Sequence, residues 1–156
     1  HNTYVTPDGK YMIAGSVGGR RLTVIDANTL QHNFSAMAAV LPCNRLRPHV
    51  KAHKCTELAA MQYEQGHTGF TCATVREMLG LAEAGWGHDL LLANEVVDTR
   101  RLADLSHAQR TARITIAVDS DHTVEAAAAV VDGRKVAPGV RLLITPGSQA
   151  IYRAAL

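Results

Sequence analysis

The chain has 156 residues, 47% hydrophobic and 19% charged, with a formal charge of +2. That composition is of a globular protein rather than a disordered one and supports one buried core, while the near balance of scattered charges supplies no basic stripe for nucleic acid. Aromatic residues make up only 4%, so the core must come from Ala, Val, Leu and Ile, which suits helices packed on a buried parallel sheet.

Cys43, Cys55 and Cys72 are odd in number and lack close pairing, which argues against a disulfide framework or a zinc knuckle and for reduced thiols in a cytoplasmic setting. No apolar run approaches the roughly 20 residues that span a bilayer, so no membrane role is expected. The start at His1-Asn2 shows no secretion signal and reads as a fragment or an engineered piece.

In chain order, Lys10 to Ala14 and Leu22 to Ile25 alternate as two strands of a hairpin around Gly15-Ser16-Val17-Gly18-Gly19, and Asp26-Ala27-Asn28 reads as a turn. From about Asn33, short apolar strands alternate with amphipathic helices, the pattern of βα units. Strands are expected near Arg45 to Val50, Gly69 to Cys72, Leu90 to Ala93 and Arg113 to Val118. Helices are expected near Thr56 to Glu64, Val75 to Ala84 and Asp98 to His107, capped by Thr56, Thr74 and Asp98 and stopped after the first two by Gly66 and Gly85. An Ala-rich helix comes next. Val136 to Gln149 then reads as a strand and helix start of a fifth βα unit, with Pro146-Gly147 as the turn, Ser148 as a cap and Ala150 to Leu156 as a short helix.

The predicted fold is α/β: an N-terminal β-hairpin followed by about five βα units on a mainly parallel sheet, either a partial TIM-like barrel or an open doubly wound layer. Three regions are expected: 1–31, 32–125 and 126–156. An incomplete barrel leaves strand edges open, which predicts pairing with a second copy.

Arg47-Pro48-His49-Val50-Lys51-Ala52-His53-Lys54 places Lys51 where a predicted strand gives way to a polar turn. The run resembles the cofactor-lysine motif of the D-threonine aldolase and D-serine dehydratase family, whose lysine forms a Schiff base with pyridoxal phosphate on an alanine-racemase-like barrel. Gly69 to Glu77, Leu90 to Val96 and Ile116 to Ser120 resemble that family's second, third and fourth barrel strands with their adjoining segments. The resemblance implies that Lys51 is the catalytic residue, that Lys51 and His49 bind the cofactor, that pyridoxal phosphate is that cofactor, and that a small D-amino acid is the substrate of a lyase. It implies no metal ligand within this chain. Two further phrases resemble other families. Tyr4 to Tyr11 with Leu22 to Asp26 is similar to one blade of a YVTN-type β-propeller, and Val136 to Gln149 is similar to part of the aconitase and isopropylmalate dehydratase large subunit. Three resemblances in a row point to a chimera, and the alternative function is a non-catalytic chimeric or designed assembly with relic motifs.

A lysine ammonium titrates near ~10.4 in water, so Lys51 attacks an aldehyde only where burial or neighbouring cations favour the free amine. Arg47, Lys54 and the flanking His49 and His53 are the candidate sources of positive potential. The histidines lie four residues apart, but Pro48 opposes the helix that would bring them together on a metal. Cys72 reads as a packed apolar residue, Asp119-Ser120-Asp121 as helix caps, and Gly147-Ser148-Gln149 as a candidate phosphate cradle of low specificity.

Overall fold

The computed structural model describes residues 3–16, 21–132 and 140–144. β1 (Thr3–Val5), β2 (Tyr11–Ser16) and β3 (Arg21–Asp26) form an antiparallel meander. The expected hairpin is present in β2 and β3, paired from Tyr11 with Asp26 to Ser16 with Arg21, and β1 adds a third strand. Gly9, at φ 69°, closes the turn between β1 and β2 with its N–H on the Thr6 carbonyl at 2.8 Å.

Asp26 does not begin a turn. Its carboxylate accepts the Thr29 N–H at 2.7 Å and caps α1 (Ala27–Val40), a 14-residue helix. The helix buries no residue fully, so its apolar stripe is thin and easily passed over. Leu30 and Phe34 nevertheless pack with Met12, Ile25, Cys55, Leu58 and Met61, and this small cluster seats the meander on the rest of the chain.

The segment expected as the first strand of the α/β layer departs most from expectation. Cys43–Arg45 is a 3-10 turn, and the residues after it meet the sheet through a single parallel bridge between His49 and Thr71. Pro48 has no N–H to donate, but its carbonyl accepts from the Thr71 N–H at 2.8 Å.

Beyond it, α2 (Thr56–Glu64), β4 (Phe70–Cys72), α3 (Val75–Glu83), β5 (Leu90–Leu92), α4 (Thr99–Ala108), β6 (Ile114–Val118), α5 (Asp121–Asp132) and β7 (Val140–Ile144) alternate as predicted. The four strands form one parallel sheet in the order β4-β5-β6-β7. Thr74 and Asp98 cap α3 and α4 by accepting the N–H groups of Glu77 and Arg101. Thr56 is instead the first helical residue after Cys55, which provides no side-chain cap. Gly66 at φ 97° and Gly85 at φ 89° follow α2 and α3 as expected.

Phe70, Cys72, Leu90, Leu92, Ile114 and Ile116 share one face of the sheet and join Met78 and Leu105 of the helices in the main core. Thr71, Leu91 and Thr115 form a row on the other face. All five residues of β6 are buried, as befits a parallel strand covered on both sides. α1 runs across the boundary drawn at residue 31, and β7 lies beyond the one drawn at 125. The expected turn at Pro146-Gly147, the helix from Ala150 and the candidate cradle at Gly147 to Gln149 lie outside the described residues.

Candidate functional site

Parallel strands bring their C-terminal ends to one edge, where α/β proteins gather functional groups. Ala73-Thr74, Ala93-Asn94-Glu95 and Asp119-Ser120 follow β4, β5 and β6 at that edge. The His49 bridge runs parallel to β4, so Val50-Lys51 leaves the sheet there too.

Lys51 is exposed in a 3-10 turn, Val50–Ala52, anchored by the buried Val50. The N–H groups of His53 and Lys54 both donate to the Val50 carbonyl, at 3.1 and 2.7 Å. His49 precedes the turn, and its Nδ1 accepts the Lys51 backbone N–H at 3.3 Å. An accepting Nδ1 means a neutral ring with its proton on Nε2. Burial holds the His49 pKa below its ordinary value, and the Lys51 charge lowers it further against the opposing pull of Glu77.

Lys54 closes the turn at φ 50°, a left-handed conformation uncommon for a side chain of its kind. Its Nζ lies 3.3 Å from Oε1 of Glu77, a carboxylate whose side chain is only 7% exposed. The other oxygen, Oε2, accepts the Ala73 N–H at 2.8 Å, just past the end of β4. Lys51 has no ion pair among the described residues.

The remaining candidates separate. Arg47 is not near the turn's positive potential: its guanidinium pairs with Asp89, beside Gly69, at the opposite, N-terminal end of the strands. His53 is half-buried, with Nδ1 accepting the Cys55 N–H at 3.1 Å. Burial lowers its pKa, the Gln62 side chain opposing, so neither histidine adds the positive charge expected of it. The Cys72 thiol is fully buried and pushed up to about 12 by burial, with the Glu77 charge adding to the effect, which leaves it the packed apolar residue that was expected. Thr123 Oγ1 accepts the N–H groups of Asp119 and Ser120 at 3.1 and 3.0 Å, and Ser120 Oγ accepts the Thr123 N–H at 3.3 Å, so this cluster caps α5.

A cavity of about 400 Å³ opens beside the turn, lined among others by Val50, Lys54, Thr74, Arg76 and Glu77. Lys51 is not part of its lining, and the turn rather than the cavity carries the free amine. Glu77 is the residue that motif reading passed over. Thr74-Val75-Arg76-Glu77 has the spacing of a capping box, in which the glutamate reaches back to the start of its own helix. Here it reaches one residue further, to Ala73, and takes Lys54 as well.

Solved structures share this arrangement of elements. A D-threonine aldolase from Filomicrobium marinum superposes with a TM-score of 0.68 at 25% identity, over 75% of this chain and 31% of its own. A substituted form of a D-threo-3-hydroxyaspartate dehydratase gives 0.67 at 30% identity, over 77% and 31%. By sequence, a D-threonine aldolase of Arthrobacter sp. is 39% identical over 103 residues, 65% of this chain and 27% of the relative. A D-threo-3-hydroxyaspartate dehydratase of Delftia sp. (strain HT23) is 33% identical over 108 residues, 68% and 28%. The chain thus spans less than a third of the length of these relatives. The family described as "Alanine racemase, N-terminal domain" matches residues 25–144, from within β3 through β7. This match does not favour a non-catalytic chimeric assembly of relics, and nothing in these likenesses extends to a propeller or an aconitase. The α/β fold is similar to the alanine-racemase-like barrel, and the chain belongs to the alanine racemase N-terminal domain family.

Proposed function

We propose that this chain forms the cofactor-lysine part of a pyridoxal-phosphate-dependent lyase acting on small D-β-hydroxy amino acids, with Lys51 as the cofactor lysine. The observation that carries the reading is the state of Lys51: an exposed amine with no ion pair among the described residues, at the C-terminal edge of a parallel sheet. The donor set suits such a cofactor. Of the two lysines in the turn, Lys54 is engaged by Glu77, so one amine remains for the aldehyde carbon. Pyridoxal phosphate, when bound, supplies an electron-withdrawing ring that stabilises negative charge at the substrate α-carbon.

The chain's own residues orient and hold protons. His49 Nδ1 fixes the Lys51 backbone, and its neutral ring keeps a proton on Nε2 at the same edge. Glu95 and Asn94 follow β5 there, exposed to solvent. The names of the relatives, D-threonine aldolase and D-threo-3-hydroxyaspartate dehydratase, support lyase chemistry on D-configured substrates. In the relatives more than two thirds of the length lies outside the matched region, and turnover is proposed for a protein of that full length.

Mixing the protein with pyridoxal phosphate, following the visible absorption, reducing with borohydride and mapping the pyridoxyl group by mass spectrometry tests the reading. Modification concentrated on Lys51, with the absorption lost in Lys51→Ala, is the expected result. Modification spread over surface lysines and unchanged in that variant would overturn it.

A further inference from the structure

We propose that Glu77 is a positioning residue for Lys51, tying the end of β4 to the end of the lysine turn through the Ala73 N–H and the Lys54 ammonium. The inference rests on the reading of Lys51 as the cofactor lysine.

Three observations carry it. Glu77 is the only carboxylate among the described residues that bridges the two segments, with Oε2 at 2.8 Å from the Ala73 nitrogen and Oε1 at 3.3 Å from Lys54 Nζ. Its side chain is 7% exposed, which strengthens the Ala73 amide bond to the carboxylate, while Lys54, 49% exposed, adds an ion pair partly screened by solvent. Lys54 holds φ 50°, a conformation that costs free energy for a non-glycine residue and persists only where its surroundings determine it. The Lys54 N–H on the Val50 carbonyl holds that backbone locally, and Glu77 ties the side chain of the same residue to the end of β4. The left-handed residue in turn lets the Lys54 N–H fold back onto the Val50 carbonyl at 2.7 Å, which closes the turn around Lys51.

The segment before Lys51 is no strand and meets β4 through one bridge, so a ladder of hydrogen bonds does not fix where Lys51 leaves the sheet. A carboxylate fixed at the α3 N-terminus, where the helix dipole favours negative charge, takes over that task. The Glu77 charge also reaches His49, which flanks Lys51 on the other side.

Glu77→Gln keeps an oxygen for Ala73 and removes the charge. Amide hydrogen exchange in the apo protein is the first measurement. The His53 and Lys54 amides should exchange about tenfold faster in Glu77→Gln, the factor corresponding to loss of one charge-assisted contact, while the β5 and β6 amides stay protected. Borohydride trapping is the second. The selectivity of pyridoxyl trapping for Lys51 should fall about tenfold in Glu77→Gln and in Lys54→Met, return in Lys54→Arg, and fall no further in the double variant. Unchanged exchange at His53 and Lys54, or additive losses in the double variant, would overturn the clamp. Absence of Lys51 selectivity in the unsubstituted protein would instead overturn the cofactor reading, with the exchange result still deciding the clamp.

Discussion

His53 shows how one buried side chain couples this turn to pH. Burial depresses its folded-state pKa below the ordinary 6.5, whereas the unfolded chain regains that value. The stability it contributes is therefore fully present above pH 6.5 and is lost as pH falls through the window between the two pKa values, because the unfolded state takes up the proton first. His49 is depressed in the same direction and adds to the slope. The urea midpoint should fall between neutral and mildly acidic pH, and His53→Asn, which retains an acceptor for the Cys55 N–H, should flatten that fall. An equal slope in both proteins would show that His53 is not the group responsible. At the same scale, the motif around Lys51 was legible because residue type and order alone carry it. The partners of Lys54 and Arg47 were not, since Glu77 and Asp89 lie 23 and 42 residues away in the chain.

Among the elements, helices α2, α3 and α4 were legible to within a residue or two at each end, with the stops Gly66 and Gly85 where a left-handed conformation is needed. β4, β5 and β6 were equally plain, because short apolar runs between helices have few other interpretations. α1 was not, since Asp26-Ala27-Asn28 has turn chemistry and the same aspartate serves as an N-cap. The helix attaches through Leu30 and Phe34, and Phe34 is the larger of the two. Phe34→Ala should cost about 1–2 kcal/mol, less than a fully buried aromatic because the ring is half-exposed. The loss should appear as faster amide exchange and proteolysis across β2, β3 and α1, with β5 and β6 still protected. Uniform loss of protection would mean that the meander and the parallel sheet unfold as one unit.

For the molecule as a whole, β7 is the last strand of the parallel sheet among the described residues, where it pairs only with β6. An open edge of a parallel sheet exposes N–H and C=O groups that favour another strand. Static light scattering should therefore give the mass of two chains, and substituting Leu142→Pro in β7 should return it to one. A monomer at every concentration tested would remove the case for pairing with a second copy. At the other edge Pro48 has no N–H to donate, and the His49 bridge replaces a strand.

Sequence alone determined the class of fold, the order of the βα units, the capping of α3 and α4, and the lysine worth testing, because each depends on neighbours within a few residues: periodicity, caps, glycine stops and a contiguous motif. Tertiary structure decided which lysine of the turn is free, where Arg47 points, how the meander is seated and what closes the turn around Lys51. Those outcomes depend on burial and on charges meeting across long separations, and local pattern carries no record of either.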